Sequence, residues 1–125
     1  SINWRDVDQY PIFKNCELVS NKEQQKSCFE STLSSYIYQS INSKETIVTT
    51  DLNETLTIDF IVDEKGKLMI TSMIVDSLIS TQIPLLEKNI KKVMDSIQPI
   101  APAYKRGIPV KTSFQLPLEI KTVAN

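Results

Sequence analysis

Residues 54–75 read ETLTIDFIVDEKGKLMITSMIV, and this stretch predicts a β-hairpin on which the rest of the fold depends. Apolar and polar residues alternate in its first half, a period of two that gives a strand one apolar face. The apolar positions are Leu56, Ile58, Phe60 and Val62. A turn of Asp63, Glu64, Lys65 and Gly66 follows, with Gly66 where a left-handed backbone is needed. A hairpin alone is at best marginally stable in water, so other elements must cover its apolar face.

The second strand of the hairpin continues the alternation less strictly. Its apolar face is formed by Leu68, Ile70 and Ile74. The same period puts three further apolar residues on the opposite, open face, beside Ile61: Met69, Met73 and Val75. We expect the aromatic residues of the N-terminal segment to cover them, because exposed apolar patches are uncommon on soluble domains.

The composition is that of one ordinary globular domain. Of the 125 residues, 41% are hydrophobic and 23% charged, which is enough apolar material for a core. We therefore expect a single domain over residues 1–125, with an irregular arm at 1–19 and a core at 20–125. The net charge of −1 disfavours nucleic acid as a partner, because phosphate binding needs a concentrated basic surface. No apolar run has the length of a membrane span.

The absence of histidine narrows the available chemistry. Histidine is the usual general base near neutral pH and the commonest metal ligand, and the chain has none. No pattern brings the carboxylates Asp59, Asp63 and Glu64 into a common cleft, and the two glycines form no phosphate-binding loop. We therefore expect no enzyme activity, no metal site and no cofactor.

The N-terminal arm holds one of the two cysteines and most of the unassigned aromatic residues. Its large apolar side chains are Trp4, Tyr10, Ile12 and Phe13, which either pack on the domain or form an exposed patch for a partner. Cys16 lies in this arm, and Cys28 lies in the first predicted helix. A disulfide between them would tie arm to helix and stabilise the fold by roughly 3 kcal/mol. The alternative is a pair of reduced, buried cysteines.

Two amphipathic helices are predicted to supply the cover. The first spans residues 21–41 and begins at a capping box from Ser20 to Glu23. Its apolar stripe is Phe29, Leu33, Tyr36, Ile37 and Ile41. The second spans residues 80–97, with Pro84 in its first turn. Its stripe is Ile83, Leu86, Ile90, Val93, Met94 and Ile97.

A last strand is predicted over residues 108–122. Pro109 and Pro117 cannot donate ladder hydrogen bonds, so this strand is expected at an edge of the sheet or paired only in part. A long edge strand is either blunted or used for pairing with another chain, including a second copy of the same protein.

The element order helix, strand, strand, helix, strand predicts an α+β fold. The second helix is long enough to run back along the sheet, so the last strand can pair antiparallel with the first. The result is a three-stranded antiparallel sheet in the spatial order two, one, three. Both helices lie on its apolar face, which makes a two-layer sandwich.

Several segments together resemble the C-terminal domain of TonB-type energy transducers, in the version found in Bacteroidetes. The hairpin carries FIVDEKGKL at 60–68, and residues 99–120 read PIAPAYKRGIPVKTSFQLPLEI after the amphipathic helix. The N-terminal part, with YPIFKNCE at 10–17 and KSCF at 26–29, resembles the region that precedes this domain. The two parts cover most of the chain.

The resemblance implies a periplasmic domain that binds outer-membrane transporters by pairing an edge strand with an extended peptide. The matching positions for partner binding are Val110, Lys111, Thr112, Ser113, Phe114, Gln115 and Leu116. An oxidising periplasm would also favour the disulfide between Cys16 and Cys28.

The sequence departs from the family pattern before the first strand, where Thr49 to Asn53 replaces a Tyr-Pro segment and a Gly-rich stretch. The 125 residues also hold neither the N-terminal membrane anchor nor the proline-rich linker of the family, so either these segments precede Ser1 in a longer protein or the chain is a stand-alone relative. The alternative function is therefore a stand-alone secreted protein or lipoprotein of the cell envelope, with a structural role and no link to a membrane motor.

Overall fold

The computed structural model describes residues 2–3, 6–41 and 48–124, and it has the predicted α+β architecture. Trp4 of the arm lies outside these residues. The strands are β1 (Ile2–Asn3), β2 (Leu52–Val62), β3 (Leu68–Ile74), β4 (Ala103–Lys105), β5 (Ile108–Val110) and β6 (Thr112–Thr122). The helices are α1 (Lys22–Ile41), α2 (Ser77–Gln82) and α3 (Leu86–Ser96), and a short 3-10 helix spans Lys14–Cys16.

The main sheet has the strand order β1-β6-β2-β3. β2 pairs antiparallel with β3 on one side and with β6 on the other, which confirms the predicted order of the three long strands. The pairing of β2 with β6 runs without a shift from Leu52 opposite Thr122 to Val62 opposite Thr112. The predicted apolar faces of both strands are buried, because the even-numbered residues from Leu56 to Val62 and from Thr112 to Ile120 point into the core.

The hairpin turn forms as the sequence predicts. Gly66 has φ of 86°, in the left-handed region that suits glycine. The Asp63 side chain accepts hydrogen bonds from the backbone N–H groups of Lys65 and Lys67. A Cβ atom on Gly66 would lie 3.3 Å from the backbone nitrogen of Pro102, so the segment after α3 packs closely on this turn.

A β-bulge changes which apolar residues of β3 face the core. Phe60 pairs with Ile70 and Asp59 pairs with Ser72, so Thr71 is an extra residue in β3. The extra residue reverses the alternation after it. Met73 and Val75 therefore pack against the core, and Ile74 is 64% exposed, so the predicted faces of these three residues are wrong.

The two predicted helices form with corrections at their ends. α1 begins at Lys22, and Asn21 rather than Ser20 caps it, since its side chain accepts a hydrogen bond from the backbone N–H of Gln24. Tyr36 is exposed and does not belong to the buried stripe. The predicted second helix is divided into α2 and α3, because Pro84 disfavours the helical conformation at Ile83, whose φ and ψ are −129° and 72°.

The described part of the arm packs against the helix side of the domain, which confirms the prediction that it packs on the domain rather than forming an exposed patch. Tyr10 and Phe13 are buried, and the Phe13 ring stacks on Phe29 at 4.6 Å between ring centroids. Phe29 meets Phe114 edge to face in turn. Because these contacts lie in the core, the expectation that the described aromatic residues of the arm cover the open face of the sheet is wrong.

The arm is fastened at two further points. A disulfide joins Cys16 to Cys28, as predicted. Antiparallel bridges also pair Gln9 with Tyr104 and Ile12 with Ala101, so the arm crosses the segment that follows α3. The arm is thus hydrogen-bonded to the C-terminal part of the chain and covalently joined to α1.

The predicted last strand is two strands in the structure. β5 pairs with β4 in a separate two-stranded sheet, and Lys111 joins it to β6. Arg106 and Gly107 connect β4 to β5, and both have positive φ, 52° and 76°, as a type I′ turn requires.

Candidate functional site

The predicted partner-binding residues do not form one continuous edge. Val110 belongs to β5, Lys111 is the connection, and the remaining five residues lie in β6. Within β6, Thr112, Phe114 and Leu116 point into the core, and Ser113 and Gln115 point to the open face of the sheet. A partner at this edge would therefore contact the backbone of β6 together with the side chains of odd-numbered residues.

The backbone groups on the outer edge of β6 belong to the odd-numbered residues. Pro117 pairs with Thr57 and has no N–H to donate, so its position suits a pair that is not hydrogen-bonded. The carbonyl of Glu119 accepts a hydrogen bond from the Tyr38 hydroxyl, 3.0 Å away and outside the ladder with β2. Both observations indicate that the outward backbone groups are those of the odd-numbered residues, which point away from β2: Ser113, Gln115, Pro117 and Glu119.

Much of this outer edge is already in use. β1 pairs in parallel with Thr112 and Ser113, and Tyr38 binds Glu119. Between them, the outward groups in the described part of the chain are the N–H and C=O of Gln115 and the C=O of Pro117. The open stretch of the β6 edge is thus short and is centred on Gln115.

The opposite edge of the sheet, β3, has its own protection. The Gln98 side chain accepts a hydrogen bond from the Leu68 N–H at 2.8 Å and donates one to the Leu68 carbonyl at 3.2 Å. A side-chain amide here takes the place of a neighbouring strand. The bulge at Thr71 further distorts this edge, which disfavours the addition of another strand.

A polar row crosses the open face of the sheet from β3 to β6. Ser72 and Gln115 are the register partners of Asp59 on its two sides. The Ser72 hydroxyl donates to Asp59 Oδ2 at 2.6 Å, and the Gln115 amide donates to Asp59 Oδ1 at 3.0 Å. These two hydrogen bonds, that from Ser72 first, hold the pKa of Asp59 below its ordinary value. The carboxylate at the centre of the row is therefore ionised.

A shallow depression of about 430 Å³ lies over this row. Its lining includes Asp59, Ile61, Thr71, Ser113 and Gln115. It borders the open stretch of the β6 edge, because Gln115 belongs to both. The alternation had placed Asp59 and Gln115 on polar strand faces, but nothing in the sequence showed that they are register partners.

No group of three or more cysteine and acidic side chains in the described ranges is arranged to hold a metal ion. Cys16 and Cys28 are joined to each other, and Asp63 and Glu64 remain in the hairpin turn. Of the helices in these ranges, none combines the length and apolar character needed to cross a membrane.

Comparison of the chain with protein-family models, with curated proteins and with solved structures gives no match in any of the three.

Proposed function

We propose that the chain is a protein-interaction domain that binds an extended segment of a partner protein along the outer edge of β6. By the resemblance to TonB-type C-terminal domains, the partner is an outer-membrane transporter, and the function is energy transduction to it. The interaction is strand addition, in which main-chain hydrogen bonds give affinity and side chains give specificity.

The observation that carries the proposal is the pairing of β1 with β6. Two extended residues of the chain itself already lie along this edge, in parallel with Thr112 and Ser113. This pairing supports strand addition by a partner, because it is an example of strand addition at the same edge within the chain itself. A partner segment would either extend past β1 towards Gln115 and Pro117 or take its place.

The experiment is a selection of phage-displayed short random peptides on the intact, oxidised protein. We expect selected peptides to shift the backbone amide NMR resonances of Ser113 and Gln115. A copy of each peptide that is N-methylated at alternate residues should lose affinity, since it keeps its side chains but lacks the donors of one strand edge. Equal affinity of the two copies, or shifts confined to other surfaces, would overturn the proposal.

The chain offers a matched pair of variants for the same test. Gln115→Pro removes an outward N–H and should weaken peptide binding. Pro117→Gln adds an outward N–H at the next position and should strengthen it. Because the ladder with β2 uses the even-numbered residues of β6, neither change removes a backbone hydrogen bond between these two strands. Gln115→Pro does remove the side-chain hydrogen bond from Gln115 to Asp59.

A stand-alone structural protein of the cell envelope is the second candidate. It is supported by the protection at both edges, where Gln98 binds the backbone of Leu68 and Pro117 lacks a donor. This candidate predicts that the peptide selection yields no ligand for β6. It also predicts a single monomeric species in sedimentation over a wide range of concentration, which separates it from pairing of two copies along β6.

We further propose that the protein works outside the cytoplasm, in the periplasm by the resemblance. The disulfide between Cys16 and Cys28 supports this, because such bonds persist in oxidising compartments. Trapping of free thiols in fractionated cells tests it. The proposal fails if the periplasmic fraction lacks the protein or if both cysteines react in intact cells.

A further inference from the structure

The carboxylate of Asp59 retains unused capacity to accept hydrogen bonds. Each of its oxygens receives one donor, from Gln115 or from Ser72, and each carboxylate oxygen can accept about two. The ion pairs within the described residues are Lys14 with Glu17, Lys26 with Glu30, and Lys121 with Glu119. None of them involves Asp59, so its negative charge has no cationic partner in the described part of the chain.

The position of Asp59 links this charge to the edge of the sheet. A strand added to β6 would lie two strand spacings from β2, about 10 Å away in the plane of the sheet. Its residue beside Gln115 would point its side chain to the open face, where the depression lies. Only a long side chain reaches from there across Gln115 to Asp59, and a guanidinium or ammonium group matches the carboxylate in charge.

We propose that the depression over Asp59 is a subsite for an arginine or lysine side chain, carried by the segment that pairs with the outer edge of β6. This inference rests on the proposed function and adds a specificity to it. The polar row then recognises one side chain of the partner. Ser72 and Gln115 hold the carboxylate of Asp59 in place, and Asp59 selects a cation at the partner residue beside Gln115.

The test compares the peptides that are selected on three forms of the intact protein. The wild type should enrich arginine and lysine at the peptide residue that contacts Gln115. Asp59→Asn, which keeps the size of the side chain, should lose this enrichment and bind a selected basic peptide about two- to fivefold more weakly. Glu119→Gln is the matched control, because it removes the same charge from the same face and should leave the enrichment unchanged.

A charge reversal keeps the test decisive if Asp59→Asn proves unstable. Asp59→Lys should shift the enrichment to aspartate and glutamate at the same peptide residue. Edge-binding peptides with no cationic preference, or with a preference that survives Asp59→Asn, would overturn the subsite and leave the strand-addition proposal standing. Selection that yields no peptide at the β6 edge would overturn both.

Discussion

At the scale of single residues, Asp59 shows how an open sheet face holds a defined charge. Its two carboxylate oxygens are bound from opposite sides, by strands that flank β2. Two neutral donors lower its pKa without cancelling its charge. The side chain is thus oriented and ionised and still accessible from the solvent side of the sheet.

Removal of the Ser72 hydroxyl should weaken the lowering of the Asp59 pKa. Ser72→Ala deletes the hydrogen bond that contributes most to the shift, so the pKa of Asp59 should rise towards its ordinary value of 3.8. Because the folded-state pKa is depressed, the stability that Asp59 provides is present above its unfolded-state pKa. This contribution to stability is lost as the pH falls through the folded-state pKa. In Ser72→Ala the contribution is smaller, so less stability should be lost on acidification.

The measurement is an NMR titration of the Asp59 carboxyl carbon in both proteins, together with urea unfolding at acidic and neutral pH. Thr55→Ala, a change on the same face outside the polar row, serves as the control and should leave the titration unchanged. An Asp59 pKa that is the same with and without the Ser72 hydroxyl would refute the assigned cause.

At the scale of elements, the two edges of the sheet are protected in different ways. β6 uses a short parallel strand, a tyrosine hydroxyl and a proline, and β3 uses the Gln98 amide and a bulge. Unprotected edges invite pairing with other chains. The difference between the two edges is that β6 already carries a strand and β3 carries a side chain.

Gln98→Ala should destabilise the protein by about 1 to 2 kcal/mol, because the N–H and C=O of Leu68 lose their partner and Leu68 is 3% exposed. The free energy of unfolding in urea and the hydrogen exchange rate of the Leu68 amide measure the effect. Gln39→Ala is the control, an exposed Gln-to-Ala change on α1. A Leu68 amide that exchanges no faster in Gln98→Ala would contradict the role of this side chain.

The predictable elements are those whose pattern is local. The strand β2, the helix α1 and the strand β6 follow from alternation or helical spacing within one stretch, so their existence and most of their buried faces were available from the sequence. The bulge at Thr71 could not be predicted from the sequence, because an extra residue in one strand is defined only by its pairing with the neighbouring strand. Pro84 did carry a signal, since a proline restricts the residue before it, and the prediction placed it inside a helix where it instead separates α2 from α3.

The candidate site was predictable only in part for the same reason. The prolines indicated that β6 borders an edge, and the alternation put Asp59 and Gln115 on polar faces. A strand of two residues such as β1 has no period to detect, and its partner lies about a hundred residues away in the chain. The register that brings Ser72, Asp59 and Gln115 into one row is likewise a property of three strands together.

At the scale of the whole molecule, the arm holds the two halves of the chain together. It is covalently joined to α1 through Cys16, and its backbone pairs with Tyr104 and Ala101. Its buried side chains, including Phe13, complete the core beside the N-terminal half of α1. Loss of the covalent link would therefore loosen contacts with both the helix and the C-terminal segment.

Reduction of the disulfide should lower the free energy of unfolding by about 3 kcal/mol, because the bond closes a loop between residues 12 positions apart in the sequence. Urea unfolding with and without a reductant measures this difference. The double variant Cys16→Ala with Cys28→Ala should be less stable than the oxidised wild type and insensitive to the reductant. Equal stability of the oxidised and reduced wild type would contradict a stabilising role for the bond.

The pairing of β2 with β6 has a consequence for the order in which the strands can pair during folding. The apolar face of β2 is complete once Val62 has been synthesised, but its longest partner ends at Thr122. After the hairpin ends at Ile74, about fifty further residues must emerge before Thr122 can pair with Leu52, so one edge of β2 stays unpaired during that time. An unpaired strand edge promotes aggregation, so we expect the pairing of β6 with β2 to be a late step of folding.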